Sequence, residues 1–238
     1  MIKLIASNAV KAALARLVPA FERARGHEVA SIWGGTLDIS KRVAEGEIVD
    51  IVILAAGRID DLIGRGRLAA GSRVDIARSG IGVAVRAGAR RPDISSPAAL
   101  KAALLAARSV VLSSGPSTVH LSELFRTMGI ADAIAPKIHQ IAPGQPVAGA
   151  LAGRMILSEK SALARAEGDI GFTQVSELLG HDGIDFVGPL PGELQHITTW
   201  SAGLHVAAPA RDAAEALLAF LTAPAASAVF RRCGMEGA

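Results

Sequence analysis

The chain has 238 residues, of which 50% are hydrophobic, and its mean hydropathy is +0.39. These values exclude a disordered chain and allow one large domain or two modest ones. A formal net charge of +3, with 3% aromatic residues and no tyrosine, favours a small anion over nucleic acid as the partner, because few rings are available to stack on bases.

The chain opens with residues typical of a first β-strand. Residues 1–6, MIKLIA, carry one positive charge but no apolar stretch of ~7–15 residues before a cleavage site. The sequence therefore indicates a periplasmic protein if a leader has been removed, and a cytoplasmic protein otherwise. No apolar run reaches the ~18 residues needed to span a bilayer, so we expect no membrane insertion.

Short β-branched runs alternate with longer stretches at helical spacing, which is typical of βα units. A first set is predicted to have strands at 2–6, 27–33 and 50–54, helices at 8–25 and 37–44, a short helix within 57–70, and extended runs at 73–77 and 80–85. A second set has helices at 97–107, 117–128, 147–167 and 174–180, and strands at 109–113, 137–142 and 169–173. An extended stretch at 196–208 and helices at 212–222 and 225–232 complete the chain.

This order of elements predicts an α/β protein with two lobes. Each lobe is expected to be a mixed, mostly parallel sheet flanked by helices, with a ligand cleft between the lobes. The first lobe would comprise residues 1–79 and 202–238, and the second lobe residues 80–201. Both termini would then lie in the first lobe.

Small polar residues follow a predicted strand and precede a helix at three places. Free N–H groups and the positive end of the helix dipole bind anions at such positions, and hydroxyl groups add neutral donors. The same residue types are also ordinary N-caps, so any one position alone fits a purely structural cap better, and only the three together make an anion site an equal alternative. The three places are Ser7-Asn8, Gly35-Thr36, and the segment Ser113-Ser114-Gly115-Pro116-Ser117-Thr118.

Six short segments spread over the whole chain are specific as an ordered set. They are IASNAV at 5–10, GGTL at 34–37, DIVIL at 50–54, RSGIGVAV at 78–85, GDIGF at 168–172 and LAFLTAPAA at 218–226. Together they resemble the periplasmic molybdate-binding proteins. The resemblance implies the type II periplasmic-binding-protein fold and the role of a solute-binding protein for an ABC-type importer, with the importer's permease as a candidate partner.

The resemblance also implies which residues bind the ligand. In that family, hydroxyls after the first two strands hold an oxyanion, and Ser7 matches the first; Gly34-Gly35 stands where serines are usual, which leaves Thr36. The second lobe supplies helix-start groups, matched at 117–118, and a tyrosine whose place is taken by Thr173-Gln174. The candidate ligand-binding residues are Ser7, Asn8, Gly35, Thr36, Ser79, Ser114, Ser117, Thr118 and Gln174.

Three interpretations of function follow. The leading one is a solute-binding protein for a small oxyanion or carboxylate. The alternative is an isomerase acting on a small unsaturated carboxylic acid, because relatives of this family include enzymes of the aconitate isomerase type. An intracellular ligand sensor is the third.

His120, one turn into the helix that starts near Ser117, is the candidate general base if the isomerase alternative holds. A merely packed or solvated histidine is the other interpretation. No metal-binding spacing or phosphate loop is present, and the single cysteine, Cys233, cannot form an intrachain disulfide, so we expect neither metal nor cofactor. Arg154 and Lys160 either add charge to the cleft or lie on the surface.

Overall fold

The computed structural model describes residues 1–153 and 170–238. The chain divides into two compact units, one formed by Met1–Ser79 with Thr198–Ala238 and the other by Gly80–Ile197. The predicted return to the first lobe at residue 202 is wrong by four residues. Thr198–Leu204 form one strand that pairs within the first sheet, and a boundary after residue 201 would cut its hydrogen-bonded ladder.

The elements are as follows in chain order. The strands are β1 (Ile2–Ser7), β2 (Val29–Gly34), β3 (Ile51–Ala55), β4 (Val74–Ser79), β5 (Ile81–Arg86), β6 (Val110–Leu112), β7 (Ile138–Gln140), β8 (Ile170–Gln174), β9 (Ile184–Pro189), β10 (Thr198–Leu204) and β11 (Glu236–Gly237). The helices are α1 (Lys11–Arg25), α2 (Thr36–Ala44), α3 (Ala56–Gly64), α4 (Pro97–Ala106), α5 (Pro116–Thr127), α6 (Ala131–Ile134), α7 (Val147–Leu151), α8 (Val175–Leu178), α9 (Arg211–Leu221) and α10 (Pro224–Arg232). Short 3-10 turns lie at Asn8–Val10, Ala135–Lys137 and Gly192–Leu194.

The first sheet has the order β11-β4-β10-β3-β1-β2. β1 is parallel to both β2 and β3, whereas β10 is antiparallel to β3 and β4. β1, β2, β3 and β4 therefore run in one direction, and their carboxyl ends meet at one edge of the sheet. That edge carries the first polar residues of the candidate site.

Alternating residues of the first sheet pack against helices on opposite faces. On one face Leu4 and Ile53 join α1, α9 and α10, to which Phe21 and Phe230 contribute fully buried rings. On the other face Ile5 packs with residues of α2 and α3. The continuous apolar run of β3 is buried because both faces of this strand are covered.

The second sheet has the order β7-β6-β8-β5-β9. β6 is parallel to β7 and β8, and β5 is antiparallel to β8 and β9. One face packs on α4, α5 and α6 and the other on α7 and α8. Gly171 allows α7 to approach β8 closely, since a Cβ there would lie 2.7 Å from Leu151 Cδ1. Both units are thus α/β with a mixed sheet flanked by helices, which confirms the predicted class.

Several elements differ from the sequence-based expectation, and α6 and β11 are among those that were not predicted. β9 was not predicted, because Asp185 and the sequence Gly188-Pro189 interrupt its apolar character. The structure pairs it with β5 at the sheet edge, where such residues are tolerated. The helix expected at 147–167 begins as α7, which ends at Leu151; residues 154–167 of that prediction lie outside the described residues.

Candidate functional site

Two predicted residues of the first unit meet at the carboxyl edge of its sheet. Ser7 ends β1, and Thr36 begins the helix that follows β2. The parallel register sets Ser7 opposite Gly34, two residues before Thr36. Thr36 Oγ1 donates to Ser7 Oγ at 3.4 Å, and each residue is only 4% exposed. This Ser7–Thr36 pair is the first polar cluster of the candidate site.

The hydroxyl of Ser7 makes only weak hydrogen bonds within the protein. It also accepts the Ala9 N–H at 3.4 Å, which makes it the cap of the 3-10 turn. Both bonds are at the long end of the hydrogen-bond range. Gly35, the N-cap of α2, offers no side-chain cap, so the first turn of this helix keeps N–H groups for another acceptor. The negative charge of Asp38 in the same turn disfavours a bound anion there. The guanidinium group of Arg42, 3.6 Å from the Asp38 carboxylate, opposes this effect.

Asn8 and Ser79 take different places at this edge. Asn8 follows Ser7 directly and is half-buried. Ser79 ends β4 and is opposite Thr198, with 2% of its surface exposed. β10 and β3 lie between β4 and β1, so at ~4.8 Å per strand Ser79 is about 14 Å from the Ser7–Thr36 pair. The structure does not bring Ser79 to that pair.

A second polar cluster follows β6 in the second unit. Ser113 Oγ lies 3.0 Å from Ser117 Oγ and 3.4 Å from Thr118 Oγ1, and it accepts the Gly115 N–H at 3.3 Å. Thr118 Oγ1 also donates to the Ser113 carbonyl. Ser114 is half-buried and takes no part in these bonds. Sequence reasoning chose Ser114, whereas the structure puts Ser113 at the centre of this Ser113 cluster (Ser113, Ser117 and Thr118).

The Ser113 cluster lies at the positive end of a 12-residue helix. α5 begins at Pro116, its N-cap Gly115 makes no side-chain cap, and its first turn contains no acidic residue. The partial positive charge of this helix end is therefore not offset locally. Ser113 and Ser117 are 8% and 1% exposed, so their hydroxyls lie where a bound anion would be shielded from water.

The end of β8 lies beside the Ser113 cluster. Leu112 of β6 pairs with Phe172 of β8, and the Ser113 N–H donates to the Phe172 carbonyl at 3.4 Å. Gln174, which with Thr173 stands where the resemblance implies a tyrosine, ends β8, is 2% exposed and is the N-cap of α8. Gln174 is thus on the same edge of the second sheet as the Ser113 cluster.

Glu177 is an acidic group of this edge that the sequence did not reveal. Its Oε2 accepts from Thr173 Oγ1 at 2.7 Å. The residue keeps some accessible surface, but its carboxyl group is surrounded by protein. This burial raises the pKa of Glu177, and the hydrogen bonds from Thr173 and from the backbone of Gln174 oppose the rise only in part. Glu177 therefore keeps its proton to higher pH than an ordinary glutamate.

We expect a Glu177→Gln variant to be more stable than the original protein at pH 8, with the difference vanishing near pH 4. A carboxyl whose folded pKa is raised stabilises the fold while protonated, and this contribution is lost as pH rises above its unfolded pKa of about 4.3. Urea unfolding at pH 4, 6 and 8 measures the effect. Glu193→Gln, at an exposed position, is the matched control. A Glu177→Gln protein that is less stable than the original protein at pH 8 would contradict the prediction.

His120 is held by residues that are distant in sequence. Its ring stacks on that of His196, with centroids 5.0 Å apart and planes at 22°. His120 Nε2 lies 3.0 Å from the Leu194 carbonyl. Because a carbonyl only accepts, Nε2 carries the hydrogen, and Nδ1 is the nitrogen left to take a proton. Burial, followed by the proximity of His120, lowers the pKa of His196.

Metal sites and membrane-spanning helices were not expected from the sequence. Within residues 1–153 and 170–238, no three histidine, cysteine, aspartate or glutamate side chains are grouped to hold a metal ion. In the same part of the chain, no single helix is long and apolar enough to cross a membrane; α9 and α10 meet that test only as a pair, which is bent by 67°. Arg154 and Lys160 lie outside the described residues.

Comparison with known proteins extends these observations. The profile of the family described as "Bacterial extracellular solute-binding protein" matches residues 2–236. The chain is 33% identical to aconitate isomerase from Pseudomonas sp. over 98% of its own length and 86% of that enzyme. These matches confirm the resemblance predicted from the sequence.

Two solved structures share the fold at low identity. The periplasmic molybdate-binding protein of Azotobacter vinelandii superposes with a TM-score of 0.76 at 17% identity, over 99% of this chain and 98% of that one. The sulfate-binding protein SubI of Mycobacterium tuberculosis superposes with a TM-score of 0.70 at 19% identity, over 98% and 85%. The fold is therefore that of periplasmic binding proteins.

Proposed function

Because this chain belongs to the bacterial extracellular solute-binding protein family, we propose that it binds a small oxyanion or carboxylate, and that the Ser7–Thr36 pair of the first unit and the Ser113 cluster of the second unit are each candidate anion-binding groups. The observation that carries the proposal is the burial of hydroxyl groups at two helix starts that lack side-chain caps, α2 and α5.

The chemistry of these clusters suits reversible capture of an anion. Hydroxyl and N–H groups stabilise negative charge by hydrogen bonds and by the helix dipole, without a fixed countercharge. A neutral site leaves the empty protein without an unpaired buried cation, whose desolvation would be costly. The ligand can then bind tightly and still be released.

Within the proposed class, the comparisons support an organic carboxylate over an inorganic oxyanion. The relative at 33% identity is an enzyme named for aconitate, whereas the molybdate- and sulfate-binding structures are below 20% identity. The resemblance implies hydroxyl-bearing residues where this chain has Gly34-Gly35 and Thr173-Gln174. A site with fewer hydroxyls around one centre fits the spaced carboxylate groups of an organic acid.

We place the protein in the periplasm, where it would deliver its ligand to the permease of an ABC-type importer. The extracellular character of the family supports this location and this partner.

The experiment is calorimetric titration of the original protein and a Ser7→Ala variant with molybdate, sulfate and trans-aconitate. We expect at least one anion to bind, and the variant to bind it more weakly by ~1 kcal/mol or more, because a charge-assisted hydrogen bond is lost. The melting temperature without ligand should change much less. Ser122→Ala, on an exposed position of α5, is the control. An equal loss of stability with and without ligand would identify Ser7 as an ordinary cap.

An isomerase is the second candidate function. It is favoured by the relative named aconitate isomerase and by the hydrogen bond from His120 Nε2 to Leu194, which leaves Nδ1 as an acceptor on a fixed ring. Isomerisation of an unsaturated acid needs one group that removes a proton from carbon and returns it. We propose His120 for that role under this candidate.

A further inference from the structure

The second unit contains a basic cavity that the proposed ligand site does not use. Its volume is about 720 Å³, and its described lining includes four arginines, Arg86, Arg90, Arg91 and Arg108, and one acid, Asp93. The Asp93 carboxylate already accepts the Ser95 N–H at 2.9 Å. Among the described lining residues positive charge therefore exceeds negative charge, even without Arg108, and the size of the cavity is within the ~300–1,000 Å³ typical of small-molecule sites.

The topology of the second sheet separates this basic cavity from the Ser113 cluster. Ser113 and Gln174 follow the carboxyl ends of the parallel strands β6 and β8. The cavity is lined by Arg108, which precedes β6, and by Ile170, which begins β8. The antiparallel strand β5 brings its last residue, Arg86, to the same amino edge. The two places thus lie at opposite edges of one sheet.

In the described part of the chain, Arg86 is held with one nitrogen of its guanidinium group unsatisfied. Its Nε donates to the Leu151 carbonyl at 3.2 Å, which fixes the plane of the group. Its Nη2 is buried and has no hydrogen-bond partner within the described residues. Leaving a buried N–H of a cation unsatisfied is costly, so such groups are found where an acceptor binds. A carboxylate or phosphate oxygen matches this donor in charge and geometry.

The apolar part of the cavity lining indicates what else the ligand must contain besides its anionic groups. α4 contributes a row of alanines, including Ala99 and Ala103, and Pro92 adds a further apolar surface. A wall of this kind packs against carbon atoms, whereas the arginines bind anionic groups at more than one point. Arg90 and Arg91 are exposed and can adjust to ligands of different length.

We propose that the basic cavity is a second binding site, for an organic anion that carries two or more carboxylate or phosphate groups. This inference does not depend on the ligand proposed for the Ser7–Thr36 pair and the Ser113 cluster.

The test is titration with citrate, a polycarboxylate, and with ATP in the absence of divalent cations, at an ionic strength of about 0.15 M, where long-range attraction is screened. At least one probe should bind the original protein. An Arg86→Gln variant and an Arg90→Gln/Arg91→Gln variant should each weaken that binding about tenfold or more, since each loses charge-assisted hydrogen bonds. The second variant changes only exposed residues and keeps the test valid if Arg86→Gln fails to fold.

Two control variants test whether the binding belongs to the basic cavity. Arg126→Gln removes an exposed arginine of the same unit, paired with Glu123, and should leave binding unchanged. Ser7→Ala should leave unchanged the binding event that Arg90→Gln/Arg91→Gln weakens, whatever it does to separate binding at the proposed ligand site. The proposal would be overturned if neither probe binds or if Arg126→Gln weakens the binding equally. It would also be overturned if Ser7→Ala removes the same binding event that depends on Arg90 and Arg91, because this result would assign that event to the proposed ligand site.

Discussion

An Asp50→Ala variant is expected to lose about 3 kcal/mol or more of its free energy of unfolding, because two hydrogen bonds to a charged acceptor contribute about 1.5–3 kcal/mol each. Asp50 is 1% exposed; its Oδ2 accepts the Lys3 N–H and its Oδ1 the Ala210 N–H, both at 2.7 Å. One carboxylate thus ties β1 to the segment that begins α9. Alanine would remove the acceptor of both part-buried N–H groups.

Urea unfolding followed by circular dichroism measures this loss. Asp132→Ala, at an exposed position in the first turn of α6, should change stability by well under 1 kcal/mol and controls for the loss of an acidic residue. The free energy of unfolding of Asp50→Asn should lie between those of Asp50→Ala and Asp132→Ala. The asparagine amide keeps one acceptor but presents a donor to the other N–H. An Asp50→Ala protein as stable as the control would show that the two N–H groups find other acceptors.

A His120→Ala variant is expected to abolish exchange of solvent deuterium into trans-aconitate if the protein is an isomerase. His120 Nε2–H is engaged by the Leu194 carbonyl, so proton transfer must pass through Nδ1, and alanine removes this group entirely. Incubation in D2O followed by proton NMR measures the exchange. We expect the loss to exceed the ~10²–10⁴-fold that a general base typically contributes, because the same group must return the proton.

His181→Ala is the matched control, since His181 is an exposed histidine of the same unit. Full exchange in that variant and none in His120→Ala would establish His120 as the base. Exchange that survives His120→Ala would show that another group removes the proton. If the original protein binds an anion tightly but shows no exchange, solute binding is supported and the isomerase function is not.

The sequence predicted those features that depend on short-range patterns. The strand–helix alternation set the class of the fold, and capping residues at strand ends pointed to Ser7 and Thr36, which the structure brings within 3.4 Å. The sequence analysis named Ser114 as a ligand-binding residue and did not single out Ser113, which the structure places at the centre of the hydrogen-bonded cluster, because the end of β6 cannot be located to one residue from composition. Ser114 stays a prediction.

Features that depend on distant contacts could not be predicted. Glu177 looks like a surface residue of a short helix, and only the packing of the second unit buries its carboxyl group. His196 becomes a neighbour of His120 only through the 3-10 turn at Gly192–Leu194. Arg90 and Arg91 are adjacent in the sequence, but the cavity beside them requires α4 and the start of β8.

The position of β10 within the first sheet has a consequence for the time course of folding. This strand lies between β3 and β4, and Leu204 pairs with Ile51, although more than half of the chain separates them. The second unit is one continuous segment, Gly80–Ile197, and can complete its own sheet while the ribosome is still adding residues. The first unit is synthesised first yet finished last, because its central ladder waits for residues near the C-terminus, and closing so long a loop slows folding. Until then the edges of β3 and β4 stay open to unwanted pairing with other chains.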